Sequence, residues 1–312
     1  MEGRSTKKFL ASLLIGSAGV LGLLAAGPAA GQTLPTATPP YKISVFAQSP
    51  DPTNIKQPDS IVRWRDRVIV GFANGAAKDG SKVFSTIVEF SLDGKAKRTF
   101  QVQGHNDGLR VVGENDLWAL QNEDANPNLV VIDLTSGHAK KYAFPPTPHG
   151  GGYDDMVVLD GKVYITASNP NLDAMGNNVF PALVRASLSG NDVVLETVLN
   201  GNASAVDIPT GTSVTLNLTD PDSMTIDPRG NIVLDDQGDS VLVFIRHPLT
   251  DEQTVGRLNI TSSATGAGGA TITLDDTAFA AHPKACLLVT GFGSARGLLF
   301  ISPDGNKEGD DR

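Results

Sequence analysis

Cysteine is almost missing. Cys286 stands alone in 312 residues, so no internal disulfide can form and the fold must be held by packing and strand ladders. Its place inside the apolar run ACLLVT suits a buried structural thiol better than a nucleophile. Histidine is scarce as well, with five in the chain, and no pair of Cys or His has the spacing of zinc ligands. There is no Gly-x-Ser-x-Gly elbow, and TGAGGA lacks the third glycine and the strand context of a dinucleotide loop. DGNKEG, at 304–309, opens like a calcium loop but is not followed by the closing Glu. Positive charge is also short: 25 Lys and Arg against 34 Asp and Glu leave a formal charge of −9. Such an acidic chain is a poor partner for nucleic acid or anionic membrane surfaces.

One long apolar run does occur, at 9–26. Arg4, Lys7 and Lys8 precede it and the small-residue sequence GPAAGQ follows, the pattern of an export signal ending near Gly31. An uncleaved membrane anchor is the competing reading, since the run is near the lower length limit of a span. After cleavage no other run is long enough to cross a bilayer. The expected organisation is a signal peptide over 1–31, a Pro/Thr-rich linker over 32–40 and a single domain over 41–312, secreted or periplasmic.

What remains is rich in punctuation. With 33 Gly, 19 Pro and 40% hydrophobic residues, the apolar positions fall in short runs broken by Asp-Gly, Ser-Gly and Pro turns, an all-β profile. Five segments align: PDSIVRWRDRVIVGFAN, NDGLRVVGENDLWALQN, YDDMVVLDGKVYITASN, PDSMTIDPRGNIVLDDQ and LDDTAFAAHPKACLLVT. Each opens on an Asp preceded by one residue (Asp59, Asp107, Asp154, Asp222, Asp275) and closes at a constant offset on Asn74, Asn122, Asn169, Gln237 or Thr290. Between those positions lie two apolar runs and a turn, which is a β-hairpin. A second hairpin follows in the better-preserved units, with Leu92, Leu134 and Leu188 placed before its turn. Four strands every ~50 residues is the signature of a propeller blade.

The third unit carries extra sequence, NPNLDAMGNNVF and GNASAVDIPTGTSVTLN, expected as surface loops. The lone strand YKISVFAQS suits ring closure from the N-terminal side, and RGLLFISPDGN reads as the start of a further unit. The expectation is an all-β, six-bladed β-propeller with one degenerate blade, five blades being the alternative.

PDSMTIDPRGNIVL, HNDGLRV and YDDMVVLDGKVYIT resemble motifs of the regucalcin/gluconolactonase superfamily and the related NHL-repeat propellers, over most of 42–305. The resemblance implies a divalent cation, often calcium, on the propeller axis. Carried over by position, its ligands would be Asp59, Asp154 and Asp222, with Asn106 or Asp107 near the substrate. Asp59 stands where that family has Glu, and Asp154, beside Asp155, where it has Asn.

The residues themselves leave two duties open for the repeated Asp. Each could accept backbone N–H bonds in a turn that starts the inner strand. Yet inner strands surround one axis, so the carboxylates would crowd there, and a cation, raised pKa values or outward-turned side chains must relieve them. All-oxygen donors suit calcium or magnesium. Asp155 and Asp275 join Asn106 as candidate ligand-binding residues. The closing amides are read as inter-blade bonds, and Glu123 and Asp124 as solvated loop charges.

His105 and His149 lie near aspartates and, with Asp107, are the candidate general bases. His138, His247 and His282 look incidental, and the Asn-x-Ser/Thr triplets at Asn202, Asn217 and Asn259 are relevant only in a glycosylating host. The function expected is an exported, monomeric propeller that binds a small molecule or protein partner at its axial mouth, with a divalent cation. The alternative is a metal-dependent lactonase or esterase-like hydrolase.

Overall fold

The structure, a computed structural model, describes residues 37, 39–81, 84–262, 270–271, 274–279, 287–290 and 297–303. The proposed signal peptide, Cys286, His282 and the 304–309 loop lie outside them. Among the described residues there is no helix, and none therefore long and apolar enough to cross a membrane.

The fold is a β-propeller. Blade 1 is β2 (Pro58–Trp64), β3 (Arg67–Phe72), β4 (Phe84–Ser91) and β5 (Ala96–Gln103), paired antiparallel in that order. Blade 2 repeats the order with β6 (Asn106–Val112), β7 (Asp116–Gln121), β8 (Asn128–Asp133) and β9 (Ala139–Ala143). Blade 3 has β10 (Met156–Leu159), β11 (Lys162–Thr166), β12 (Pro181–Ser189) and β13 (Asp192–Asn200). Blade 4 has β16 (Pro221–Ile226), β17 (Ile232–Asp236), β18 (Val241–Arg246) and β19 (Thr254–Asn259).

The last sheet closes the ring. In it β23 (Gly297–Pro303) lies between β22 (Leu287–Thr290) and the N-terminal β1 (Tyr41–Gln48), both antiparallel to it. The lone N-terminal strand therefore has the closing role read from the sequence. The segment taken as the start of a further unit is instead the middle strand of this sheet, because its apolar run finds partners on both edges. Five blade-like sheets are thus present among the described residues, the count left as the alternative. A short pair, β20 (Thr261–Ser262) and β21 (Ala270–Thr271), stands apart.

The extra sequence of the third unit divides between two fates. Residues 167–180 form a loop, whereas 201–218 contain the hairpin β14 (Ser204–Asp207) and β15 (Ser213–Thr215), which extends the outer edge of blade 4 through a parallel pairing of β14 with β19. Turn residues at 208–212 made that segment read as loop, but Ala205, Val214 and Leu216 pack into the core beside it.

The core sits between blades, not within them. Alternate residues of a strand face opposite sides of its sheet, so Ile69 and Ile87 of blade 1 meet Leu109, Leu117 and Ile132 of blade 2, while Val68, Val70 and Phe72 turn toward Ala47 and Leu288 of the closing sheet. Equivalent layers join blade 2 to blade 3 through Leu120, Met156 and Ile165, and blade 3 to blade 4 through Leu183, Met224 and Leu234. Inner strands touch their neighbours in ring order, β2 to β6, β6 to β10 and β10 to β16, and β22 reaches back to β2.

The residue after each repeated Asp stitches this ring. Ser60 Oγ accepts the N–H of Leu109 (2.8 Å), Asp155 Oδ2 accepts the N–H of Met224 (2.9 Å), and Asp276 Oδ1 accepts the hydroxyl of Ser223 (2.6 Å). At the remaining place stands Gly108, where a Cβ would come within 2.3 Å of the Asp154 carbonyl oxygen. Glycine is required there by backbone-to-backbone approach. Gly108→Ala is expected to cost about 3 kcal/mol and several degrees of melting temperature. Gly113→Ala, in open space at φ 65°, should cost only about 1 kcal/mol. Thermal melts of the two variants check this ranking, and equal effects would refute the stitching role of position 108.

Candidate functional site

Four inner strands deliver their leading aspartates to one cavity of about 290 Å³, and Asp275 joins them from a segment without a described strand. Asp59, Asp107, Asp154, Asp155, Asp222 and Asp275 all line it, together with Asp276, His105, Lys78, Glu123 and Gln237. Asp107 is only 4% exposed. Asp59 and Asp275 are exposed, but the solvent they meet lies in a cavity walled by protein, so they are desolvated nonetheless.

That desolvation governs the charge state. Burial, then the Asp107 charge, pushes Asp59 well above the ordinary carboxylate range, and Asp59 hydrogen-bonds to Asp107. Burial also raises Asp107, although its bonds to His105 and Asp59 oppose the rise. On the other side burial and the Asp107 and Asp222 charges push Asp154 well up, while Asp222, bonded to Asp154, is raised to about 7. In each pair, Asp59 with Asp107 and Asp154 with Asp222, two carboxyls bonded to one another favour a shared proton over ionisation of both.

Two cations of the chain also face the cluster. His105 Nε2 lies 3.0 Å from Asp107 Oδ1, and its Nδ1 is 2.8 Å from the Ala76 carbonyl, which can only accept. Burial lowers the His105 pKa, but the bond to Asp107 and its charge prevail and lift it to about 9. Both ring nitrogens are thereby engaged. Lys78, from the loop between β3 and β4, pairs with Glu123; burial lowers its pKa, and Glu123 more than offsets this.

The remaining acids serve structure as much as the cavity. Asp155 pairs with Arg110 (3.6 Å) besides holding Met224, so its burial-raised pKa is partly brought back by that guanidinium. Asp235 Oδ1 accepts the N–H of Ser223 (2.8 Å), and Asp236 Oδ2 accepts that of Asp220 (3.0 Å). Burial first, then neighbouring carboxylates, takes both to about 8.

Two of the sequence-derived residues do not reach the cavity. Asn106 is fully buried with Nδ2 donating to the Leu120 carbonyl (2.9 Å), since the residue before Asp107 must face the other side of the strand. His149 is fully buried, 2.7 Å from the Gly152 carbonyl through Nε2 and edge-on to Tyr153; burial lowers its pKa. Two of the closing amides act within their own blades, Asn122 Oδ1 accepting the N–H of His105 (2.9 Å) and Asn74 Oδ1 that of Lys56 (3.1 Å), while Gln237 lines the cavity. Both asparagines have positive φ, which turns their side chains back on the start of the inner strand. Glu123, read as a solvated charge, is 8% exposed and lines the cavity. It lies outside the repeat column, one residue past Asn122, and Lys78 lies in a loop with no repeat signal, so neither could be found by pattern.

Metal-competent groupings exist here. Asp59, His105 and Asp107 form one group of three whose ligand atoms lie within 4.8 Å of one another, and Asp107, Glu123 and Asp154 form a second. Asp107 belongs to both, and its Oδ2 is buried without a hydrogen-bond donor. An oxygen so placed fits a cation or a shared proton.

No protein-family model matches the chain, and no curated protein sequence matches it. Among solved structures, one described as a "putative gluconolactonase" is 15% identical with a TM-score of 0.48, over 85% of this chain and 93% of the other. Virginiamycin B lyase from Staphylococcus aureus is 14% identical with a TM-score of 0.43, over 72% of this chain and 75% of the other. A streptogramin B lyase is 15% identical with a TM-score of 0.44, over 72% of this chain, which spans 60% of that lyase's length. The gluconolactonase description is the one the sequence motifs resemble. Activity does not follow from likeness at this level, and the propeller stands on its own sheet order.

The raised pKa values fix a pH trend. Asp222, Asp235 and Asp236 titrate at about 7 to 8 when folded against 3.8 ordinarily, so the native state holds extra protons. Their stabilising contribution is full below about pH 4 and lost as the pH rises through about 7 to 8. His105 adds the same sign, full below about 6.5 and lost through about 9. The surface turn residues Asp51, Asp133 and Asp173, lowered by hydrogen bonds, act only below that window. The melting temperature of the metal-free protein should therefore fall between pH 5 and pH 9, and Asp235→Asn should flatten the slope. A melting temperature that climbs over that range would count against the assignment.

Proposed function

We propose that the protein is an exported β-propeller that binds a divalent cation at the axial carboxylate cluster and uses it to hold a small polar ligand or a group on a protein partner. The observation that carries this is Asp107, buried at the meeting point of two metal-competent groups with only His105 and a proton shared with Asp59 to serve its two oxygens. Asp59, Asp107, Asp154 and Asp222 would hold the ion. This oxygen-rich set suits calcium, magnesium or manganese. The export reading rests on the N-terminal 1–31 pattern.

The charges support one ion. Asp59, Asp107, Glu123, Asp154 and Asp222 face Lys78 and His105, and the two shared protons relieve much of what is left. A divalent cation can replace those two protons without changing the net charge. When bound, it would polarise an oxygen of the ligand. The cavity wall is mostly polar, which disfavours an apolar ligand, and Gln237 and Ser223 offer hydrogen bonds beside the carboxylates.

Binding is favoured over hydrolysis by the histidines. A general base needs a free lone pair, and Asp107 would give its own to the cation, which leaves the two histidines as candidates. His105 has both nitrogens engaged, and His149 is outside the cavity.

Calcium or magnesium added to the metal-free protein at pH 8 should raise its melting temperature by several degrees and release about two protons per ion. Asp154→Asn should weaken the ion at least tenfold. Calorimetry in buffers of different ionisation heat counts the protons. Neither a melting shift nor proton release with any of calcium, magnesium or manganese would refute the proposal. Chelator-sensitive turnover of lactones or esters by the wild type would overturn the preference for binding.

A further inference from the structure

We infer that the carboxylate cluster has two cation positions and that the ammonium of Lys78 occupies the one at Glu123. The two metal-competent groups share Asp107 but are otherwise separate, Asp59 and His105 on one side, Glu123 and Asp154 on the other. A cation supplied by the chain stands on each: His105 Nε2 on Asp107 Oδ1 (3.0 Å) and Lys78 Nζ on Glu123.

The two differ in how firmly they are kept. His105 is anchored at its far nitrogen by the Ala76 carbonyl and its side chain is 13% exposed. Lys78 reaches in from a loop whose backbone is tied to Asp124, and its side chain is 57% exposed. Its head can leave for solvent without opening the core. Asp107, Glu123 and Asp154 then present oxygen donors alone, a hard set that accepts calcium, magnesium or manganese. Buried Asp107, whose Oδ2 no N–H donor reaches, belongs to this group as well as to the other and can offer an oxygen to a cation at either place. Lys78 thus acts as an internal competitor that limits the native site to one divalent ion. The inference rests on the cation-binding reading.

Manganese is the probe, because equilibrium dialysis counts it and paramagnetic resonance reports two coupled ions. The wild type and the remote Lys95→Met control should bind one ion. Lys78→Met should bind two, with a spin-coupled spectrum, at concentrations where the wild type binds one; adding Glu123→Gln should return the count to one. Lys78→Gln supplies the same reading should Lys78→Met fail to fold. A Lys78→Met protein that binds one ion with unchanged affinity overturns the inference and leaves the proposed function standing. An ion bound by Lys78→Met but not by the wild type overturns the proposed function and supports the competitor role. No ion in either overturns both.

Discussion

Like charges brought to one axis are the constraint on which the rest of this structure depends. A propeller that begins every inner strand with Asp cannot keep those carboxyls apart, and two unit charges ~6 Å apart at an effective dielectric of ~20 repel by roughly 3 kcal/mol. The chain meets this in three ways. It shares protons within Asp59–Asp107 and Asp154–Asp222, it sets His105 and Lys78 against the cluster, and it ties Asp155 to Arg110 and Met224 of the neighbouring blades. A cluster so nearly balanced responds strongly to one added divalent charge, which is why the proposed binding is centred there.

The same repeat separates holding the ring from serving the cavity. One column, the leading Asp, faces the axis. The next, Ser60, Gly108, Asp155, Ser223 and Asp276, joins neighbouring blades by hydrogen bonds or by close backbone contact. Both columns line the cavity, so the division lies in what each side chain bonds to, not in which way it faces. The chain can therefore vary the axial column without loosening the ring, and a ring closed by β1 against β23 needs no disulfide.

Much of the fold was legible. The Asp-to-amide spacing marked each inner hairpin, Leu92, Leu134 and Leu188 marked the outer ones, and an unpaired N-terminal strand pointed to closure. Two segments were not. RGLLFISP has the pattern of an inner strand, and only its pairing with β22 and β1 shows that it is a middle one. The hairpin β14–β15 hides in a turn-rich insertion because its strands are short and gain their stability by adding to the edge of blade 4.

By itself the sequence determined the blade architecture and the convergence of Asp59, Asp107, Asp154, Asp222 and Asp275, since both follow from local periodicity repeated at a fixed interval. Only the tertiary structure decided who else stands there and in what state of charge. Glu123 and Lys78 reach the cavity from loops that carry no repeat, and Asn106 and His149 are turned away from it into the core. The protonation of each carboxyl depends on neighbours supplied by other blades, so it exists only once the ring has closed.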